Sequence, residues 1–352
     1  MMKFPEISLE ERLAKLAPKK DGILQVVIDS DTKNEVDDQF AIAYALLSPD
    51  RLNVQAVYAA PFSSTFFVER LRSEDEALPM TSDVGEGMRQ SLEESRKLHR
   101  LLGIDPTGRT FAGSDRYMSE KGGPVESEAA RDLVRRAMSS EETLYALAIG
   151  EITNIASAIL MEPEIIKKIV IIWLAGQPTD WPTALEFNLG QDVIASQTVL
   201  DCGVPLVLVP CMSVASNLTT TGPELEHYIK GKSAIGTFLA DTVISQLNQK
   251  VGNIWLNLIH MTYNKGLDDY GDDTPCTDTM LAPSRIIWDI STVAYVINHN
   301  WCPSTIVPTP ILNDDITWAT ADEGRHPMRV VNFCYRDAIF GDMFAKLQTA
   351  PK

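Results

Sequence analysis

No stretch of this sequence is rich in lysine and arginine: 31 basic residues face 48 acidic ones, for a formal net charge of −17. Such a surface repels polyanions, so nucleic-acid binding is excluded as a main role. Cysteine is sparse. The five present (Cys202, Cys211, Cys276, Cys302, Cys334) are odd in number and never spaced CxxC, which argues against a disulfide framework or a thiolate zinc site. The five histidines (His99, His227, His260, His299, His326) form no HxH or HxxxH pair, so histidine-ligated zinc is disfavoured too. Long apolar runs are also missing. Residues 1–20 hold no signal-peptide core, and no segment reads as a membrane span, so a cytoplasmic protein without a membrane partner is expected. Neither repeats nor Pro/Gly/Ser-rich linkers divide the chain, and the expectation is a single domain over residues 1–352.

What is present is an ordinary globular composition, 45% hydrophobic and 22% charged, with apolar runs that alternate with helical segments. Residues 4–20, with Ser8-x-x-Glu11 as a capping signature, read as a short exposed N-terminal helical extension, and 63–87 read as a loop insertion. Strands are expected at 24–28, 53–59, 143–149, 168–174 and 204–209, and closing strands at 305–311 and 328–335. Helices are expected after most of them, including 91–102, 127–138, 192–200, 235–263 and 337–347. This alternation predicts an α/β fold: an open, mainly parallel sheet flanked by helices, with ligands bound beyond the carboxyl ends of the strands.

At that edge lies the densest chemistry in the sequence. The segment from Val26 to Ala41 reads as strand, acidic loop and helix, and it crowds Asp29, Asp31, Glu35, Asp37 and Asp38 into one connection. Carboxylates this close repel one another unless a cation or hydrogen-bond donors compensate. A hard, oxygen-seeking metal is the economical explanation, because Ca²⁺ takes about six to eight oxygen ligands. The plain alternative for Asp37 and Asp38 is helix capping, since acids are favoured in a first turn. Taken singly, Thr153-Asn154 reads as a turn and cap, Glu186-Phe187-Asn188 carries little information, and the acidic loop Asp268 to Asp273 reads as solvated.

Taken in order, Asp29-x-Asp31, Asp37-Asp38-x-x-Ala41, Thr153-Asn154-Ile155-Ala156, Glu186-Phe187-Asn188 and Trp288-Asp289 resemble the inosine-uridine-preferring nucleoside hydrolase family, over about residues 24–347. The resemblance implies a nucleoside hydrolase-like fold with a Rossmann-like core and one Ca²⁺ at the sheet edge. It further implies hydrolysis of the N-glycosidic bond of ribonucleosides, releasing base and ribose. Asp31 would be the general base and a metal ligand, with Asp38, Asp289 and the Ile149 carbonyl completing the protein's share of the ligands. Asp37, Asn34, Asp180, Glu186 and Asn188 would contact the sugar, Trp288 the base, and Asp29 would orient its acidic neighbours. A homodimer or homotetramer acting on a small nucleoside or pentoside is the implied assembly.

The family loop reads Asp-x-Asp-Pro-Gly-x-Asp-Asp, whereas here Pro-Gly is absent and five residues, Thr32 to Val36, separate Asp31 from the acidic pair. Glu35 therefore competes with Asp37 for the sugar. Trp288 stands where relatives often carry a histidine. An indole cannot act as a general acid but can stack on a base, so purine nucleosides are slightly preferred. His260 and Tyr263 are further candidates for the leaving group. The alternatives are a non-catalytic sugar or nucleoside binder, a hydrolase of another pentoside, and an Asp-based phosphohydrolase of the haloacid dehalogenase type. That last pattern needs Thr or Val where this chain has Lys33.

Overall fold

Short runs rich in Val, Ile and Leu form the strands, as expected of a sheet buried on both faces. The computed structural model describes residues 4–17, 19–66, 80–120, 123–248, 284–320 and 324–352. Strands β1 (Leu24–Ser30), β2 (Leu52–Ala59), β3 (Thr110–Ala112), β4 (Leu144–Ala148), β5 (Ile169–Leu174) and β6 (Leu206–Val209) come first. They are followed by β7 (Thr219–Thr221), β8 (Ser284–Ile286), β9 (Ser304–Pro308), β10 (Ile311–Leu312), β11 (Trp318–Ala319) and β12 (Pro327–Val331). Eight form one sheet in the order β3-β2-β1-β4-β5-β6-β12-β9, while β7 with β8 and β10 with β11 make small ribbons. Within the main sheet only the β12–β9 pairing is antiparallel. The expected α/β architecture, mainly parallel with flanking helices, is the one observed.

Successive strand side chains point to opposite faces, and each face meets its own core. Val26, Ile28, Leu147, Ile172 and Val207 pack into one cluster, and Val27, Ala146, Ile171 and Leu206 into the other. Strand order runs outward from β1 to β3 on one side and from β4 to β6 on the other. The chain therefore leaves β1 and β4 in opposite directions, and a crevice opens between their carboxyl ends. The helices Asp37–Leu46 and Thr153–Met161 both start there.

Two boundaries differ from the sequence reading. The N-terminal helix, Leu9–Leu16, is capped by Ser8 as expected but is not merely an exposed extension. Leu16 is wholly buried, and the Arg12 guanidinium donates to the Gly203 carbonyl at 2.7 Å, so this helix is docked. The helix Val84–Leu101 begins inside the segment expected to be a loop, where Asp83 accepts from the Glu86 N–H at 2.6 Å. Gly85 and Gly87 lower local helix propensity and disguise that start. Gly87 has a packing reason, since a Cβ there would overlap the Phe62 carbonyl. His260, Tyr263 and the Asp268 to Asp273 loop lie outside the described residues, and among those described no helix is long and apolar enough to cross a membrane.

Candidate active site

The crevice is lined first by the end of β1. Asp29 pairs in register with Ala148 of β4, and its carbonyl accepts from the Ile149 N–H at 2.8 Å. Asp31 follows one residue past the strand and is fully buried. A Cβ on Gly150 would stand 2.8 Å from the Asp31 nitrogen and 3.0 Å from its Cγ and Oδ1. Glycine at the β4 turn thus lets the backbone lie directly against this carboxylate. Asp31 Oδ2 accepts from the Asn34 amide at 2.8 Å, whereas Oδ1 is buried with no partner among the described residues.

The helix Asp37–Leu46 brings the acidic pair. Its N-cap is Val36, with no side-chain capping bond, and Asp37 and Asp38 occupy its first turn, where the helix N-terminus also favours acids. Both are buried and meet Asp289, which precedes the helix Ile290–Ile297. One oxygen of each of these three carboxylates lies within 4.8 Å of the others. Asp31 lies outside this tight trio yet close enough for its charge to act on Asp289. The Ser30 hydroxyl donates to Asp38 at 2.6 Å and lies 2.6 Å from the Thr32 hydroxyl, which is 2.9 Å from that of Ser95.

Burial raises all four aspartates, and mutual repulsion raises them further. Asp38 and Asp289 feel Asp37 most, and Asp31 feels Asp38, Asp37 and Glu151. Asp37 is pushed up to about 7 by burial and by Glu35, against the attraction of Arg285. Several carboxylates this deeply buried stay ionised only beside a compensating cation. Among the described residues the donor set is oxygen alone, and Asp31 Oδ1 is a buried acceptor without a partner. A hard divalent ion such as Ca²⁺ fits that chemistry.

Asn154 holds the frame behind the acids. Its amide donates to Asp29 Oδ1 at 2.8 Å and to the Ala59 carbonyl at 3.2 Å, and its oxygen accepts from the Ser114 N–H at 2.7 Å and hydroxyl at 2.9 Å. Asp29 Oδ2 has no partner among the described residues, and burial pushes the Asp29 pKa up to about 7. Gly113 is needed for this convergence, because a Cβ there would overlap the Ala59 carbonyl and crowd the Asn154 amide. Gly113→Ala is expected to cost about 3 kcal/mol of stability, as forced overpacking does. Urea denaturation checks it, and a midpoint equal to wild type would contradict it.

The remaining expected residues fall at different depths. Glu186 accepts from the N–H groups of Gly176 at 2.8 Å, Asn188 at 3.0 Å and Leu189 at 3.1 Å. Burial pushes it up to about 7 despite those donors. The Asn188 amide donates to the Leu174 carbonyl at 3.0 Å, which anchors both residues at the carboxyl end of β5. Asp180 is exposed on the preceding loop, and Trp288 is almost wholly buried within the core cluster. Glu35 forms an ion pair with the buried Arg285 of β8.

Three charged residues escaped the sequence reading as site neighbours. Glu151 is buried near Asp31, with one oxygen accepting from the Thr153 N–H at 2.9 Å and the other without a partner among the described residues. Asp192 accepts from the Met118 N–H and the Thr153 hydroxyl, tying the helix start to the next layer. Arg285 is the third. Each is a lone charge in an apolar or turn-like context, so no periodicity or spacing marks it.

Fold and site together define an open α/β protein with clustered buried carboxylates at the switch between β1 and β4. The chain belongs to the inosine-uridine preferring nucleoside hydrolase family, which it matches over residues 26–334, and is thus a nucleoside N-glycosyl hydrolase. Probable uridine nucleosidase 2 of Arabidopsis thaliana is 24% identical over 221 residues, covering 61% of this chain and 67% of that protein. Pyrimidine-specific ribonucleoside hydrolase RihA of Klebsiella pneumoniae (strain 342) is 25% identical over 233 residues, covering 62% and 70%. Among solved structures, a purine-preferring ribonucleoside hydrolase from Gardnerella vaginalis superposes with a TM-score of 0.64 at 16% identity, covering 92% of this chain and 98% of that one.

Proposed function

We propose that this protein hydrolyses ribonucleosides to base and ribose with the help of Ca²⁺, and that Asp31 is its general base. The observation that carries this reading is the buried Oδ1 of Asp31, without a partner among the described residues, beside the trio Asp37, Asp38 and Asp289. Asp38, Asp289, Asp31 and the Ile149 carbonyl would hold the ion, and the nearness of Asp37 to the other two makes it a further candidate ligand. When bound, Ca²⁺ supplies a Lewis acid that gathers oxygen ligands and offsets the carboxylate charge.

The chain's own groups account for the rest. The Asn34 amide fixes one oxygen of Asp31, leaving the other to take a proton from water. As the new C1′–O bond forms, the C1′–N bond breaks and its electron pair leaves with the base, which takes up a proton. With one base and no carboxylate nucleophile assigned to the opposite face, the configuration at C1′ inverts. Positive charge that develops on the sugar is stabilised by the surrounding carboxylates. Asp37, Asn34, Asp180, Glu186 and Asn188 would hold the ribose hydroxyls, with Glu186 and Asn188 fixed by their backbone partners.

A reducing-sugar assay across a nucleoside panel, with and without EDTA, tests the reading; ligand binding without sugar release would favour a non-catalytic binder instead. Purine nucleosides are expected to be the somewhat better substrates, a lean that rests on Trp288 beside Asp289. A higher kcat/KM for uridine than for inosine would remove it. A single-domain, cytoplasmic homodimer or homotetramer completes the proposal, and sedimentation checks the assembly.

A further inference from the structure

The lengthened acidic loop ends in a contact that the family pattern does not explain. Glu35 reaches Arg285 across 250 residues of sequence. The guanidinium is only 3% exposed and the carboxylate 15%, so the pair is largely withdrawn from water. Glu35 lies two residues before Asp37, and Arg285 four before Asp289. The pair therefore joins the two chain segments that supply the carboxylate trio. Arg285 is itself held in place: it pairs in register with Thr220, and the Ile287 N–H donates to the Leu218 carbonyl at 2.8 Å. The Arg336 guanidinium braces the same ribbon by donating to the Thr219 carbonyl at 2.9 Å.

Engagement with Arg285 also changes what Glu35 is for. A carboxylate paired with a buried guanidinium is poorly placed to bind a sugar hydroxyl as well, and breaking the pair would strand a buried charge. We propose that Glu35 and Arg285 are positioning residues that clasp the lengthened loop onto the Ser284–Asp289 segment, setting the spacing of Asp37 and Asp38 from Asp289 and hence the affinity for the cation. This rests on the reading of the trio as a cation site. Asp37 then remains as the acid of this loop that meets the sugar or the ion.

Sign separates a clasp from a simple field effect. Glu35 repels the trio and Arg285 attracts Asp37, so through charge alone Glu35→Gln would weaken cation binding and Arg285→Gln would strengthen it. A clasp predicts that both weaken it, by about tenfold to a hundredfold, the usual penalty for losing a group that orients metal ligands. The measurement is calorimetric titration of the full chain with Ca²⁺, backed by Tb³⁺ luminescence. Glu35→Gln and Glu35→Asp accompany Arg285→Gln and Arg285→Lys in case the glutamine at 285 fails to fold. The Glu35→Gln/Arg285→Gln double variant is expected to lose no more than the worse single one. Rescue by Glu35→Asp to within about threefold of wild type is the other expected sign, since a shorter acid can still reach a partner. Tighter binding by Arg285→Gln, or unchanged binding by Glu35→Gln, overturns the clasp. Failure of the wild-type chain to bind either ion overturns the cation site itself, a distinguishable result.

Discussion

Asp31→Ala is expected to lower kcat/KM for the best nucleoside by about a thousandfold, the middle of the range for removing a positioned general base. With Ca²⁺ saturating, so that the lost ligand is offset, the effect falls on kcat more than on KM, because the side chain acts on the attacking water while other groups hold the sugar. The same substitution is expected to raise the melting temperature of the chelated protein. Asp31 is a buried carboxyl whose proton is held tightly by burial and by Asp38, and removing it relieves the crowding among its acidic neighbours. Loss of activity with retained or increased stability is a combination that misfolding cannot produce. Steady-state assays and calorimetry on one preparation check both halves, and activity within tenfold of wild type would sink the role given to Asp31.

Chelation is the second large effect. EDTA is expected to abolish turnover and lower the melting temperature, with a deeper loss at about pH 8 than at about pH 5. The direction follows from the raised carboxylates. Asp29 and Asp37 are pushed from an ordinary value of 3.8 to about 7 in the folded chain. Between those values the unfolded chain has released protons that the folded chain retains, so the stability of the metal-free protein falls as pH rises through this window. Above about 7 the loss is complete. A bound cation favours the ionised carboxylates and cancels the penalty, so the gain in melting temperature on adding Ca²⁺ should grow with pH. An equal gain at both pH values would contradict the raised carboxylates, and no gain at either would contradict the cation site.

The strands were legible because burial on both faces leaves an almost uninterrupted β-branched run, as in Ile169–Leu174. The acidic loop was legible because so many carboxylates in one connection demand a reason. Strand order was not written locally. It depends on pairings such as Leu24 with Leu52 and Gln25 with Leu144, which no short window contains. The helix start at Val84 was hidden by Gly85 and Gly87, and the purpose of Gly87, the close approach of Phe62, is tertiary. How much of the Trp288 ring is left for a base is set by the core around it, where it is 5% exposed, and no neighbour in sequence records that. The chemistry of Glu35 could be settled only by its partner, because Arg285 stands far away in a segment with nothing else to mark it.

That distance sets a clock. The carboxylate trio is assembled from segments made early and late, and Glu35 waits 250 residues for Arg285. At a synthesis rate of about 5–20 residues per second, the acidic loop emerges roughly 10–50 s before its partners exist. Through that interval the nascent chain carries the acidic loop with neither Arg285 nor Asp289 to meet it. A cation that needs all three carboxylates would favour only the finished product, and it could do little to guide the intermediates that precede it.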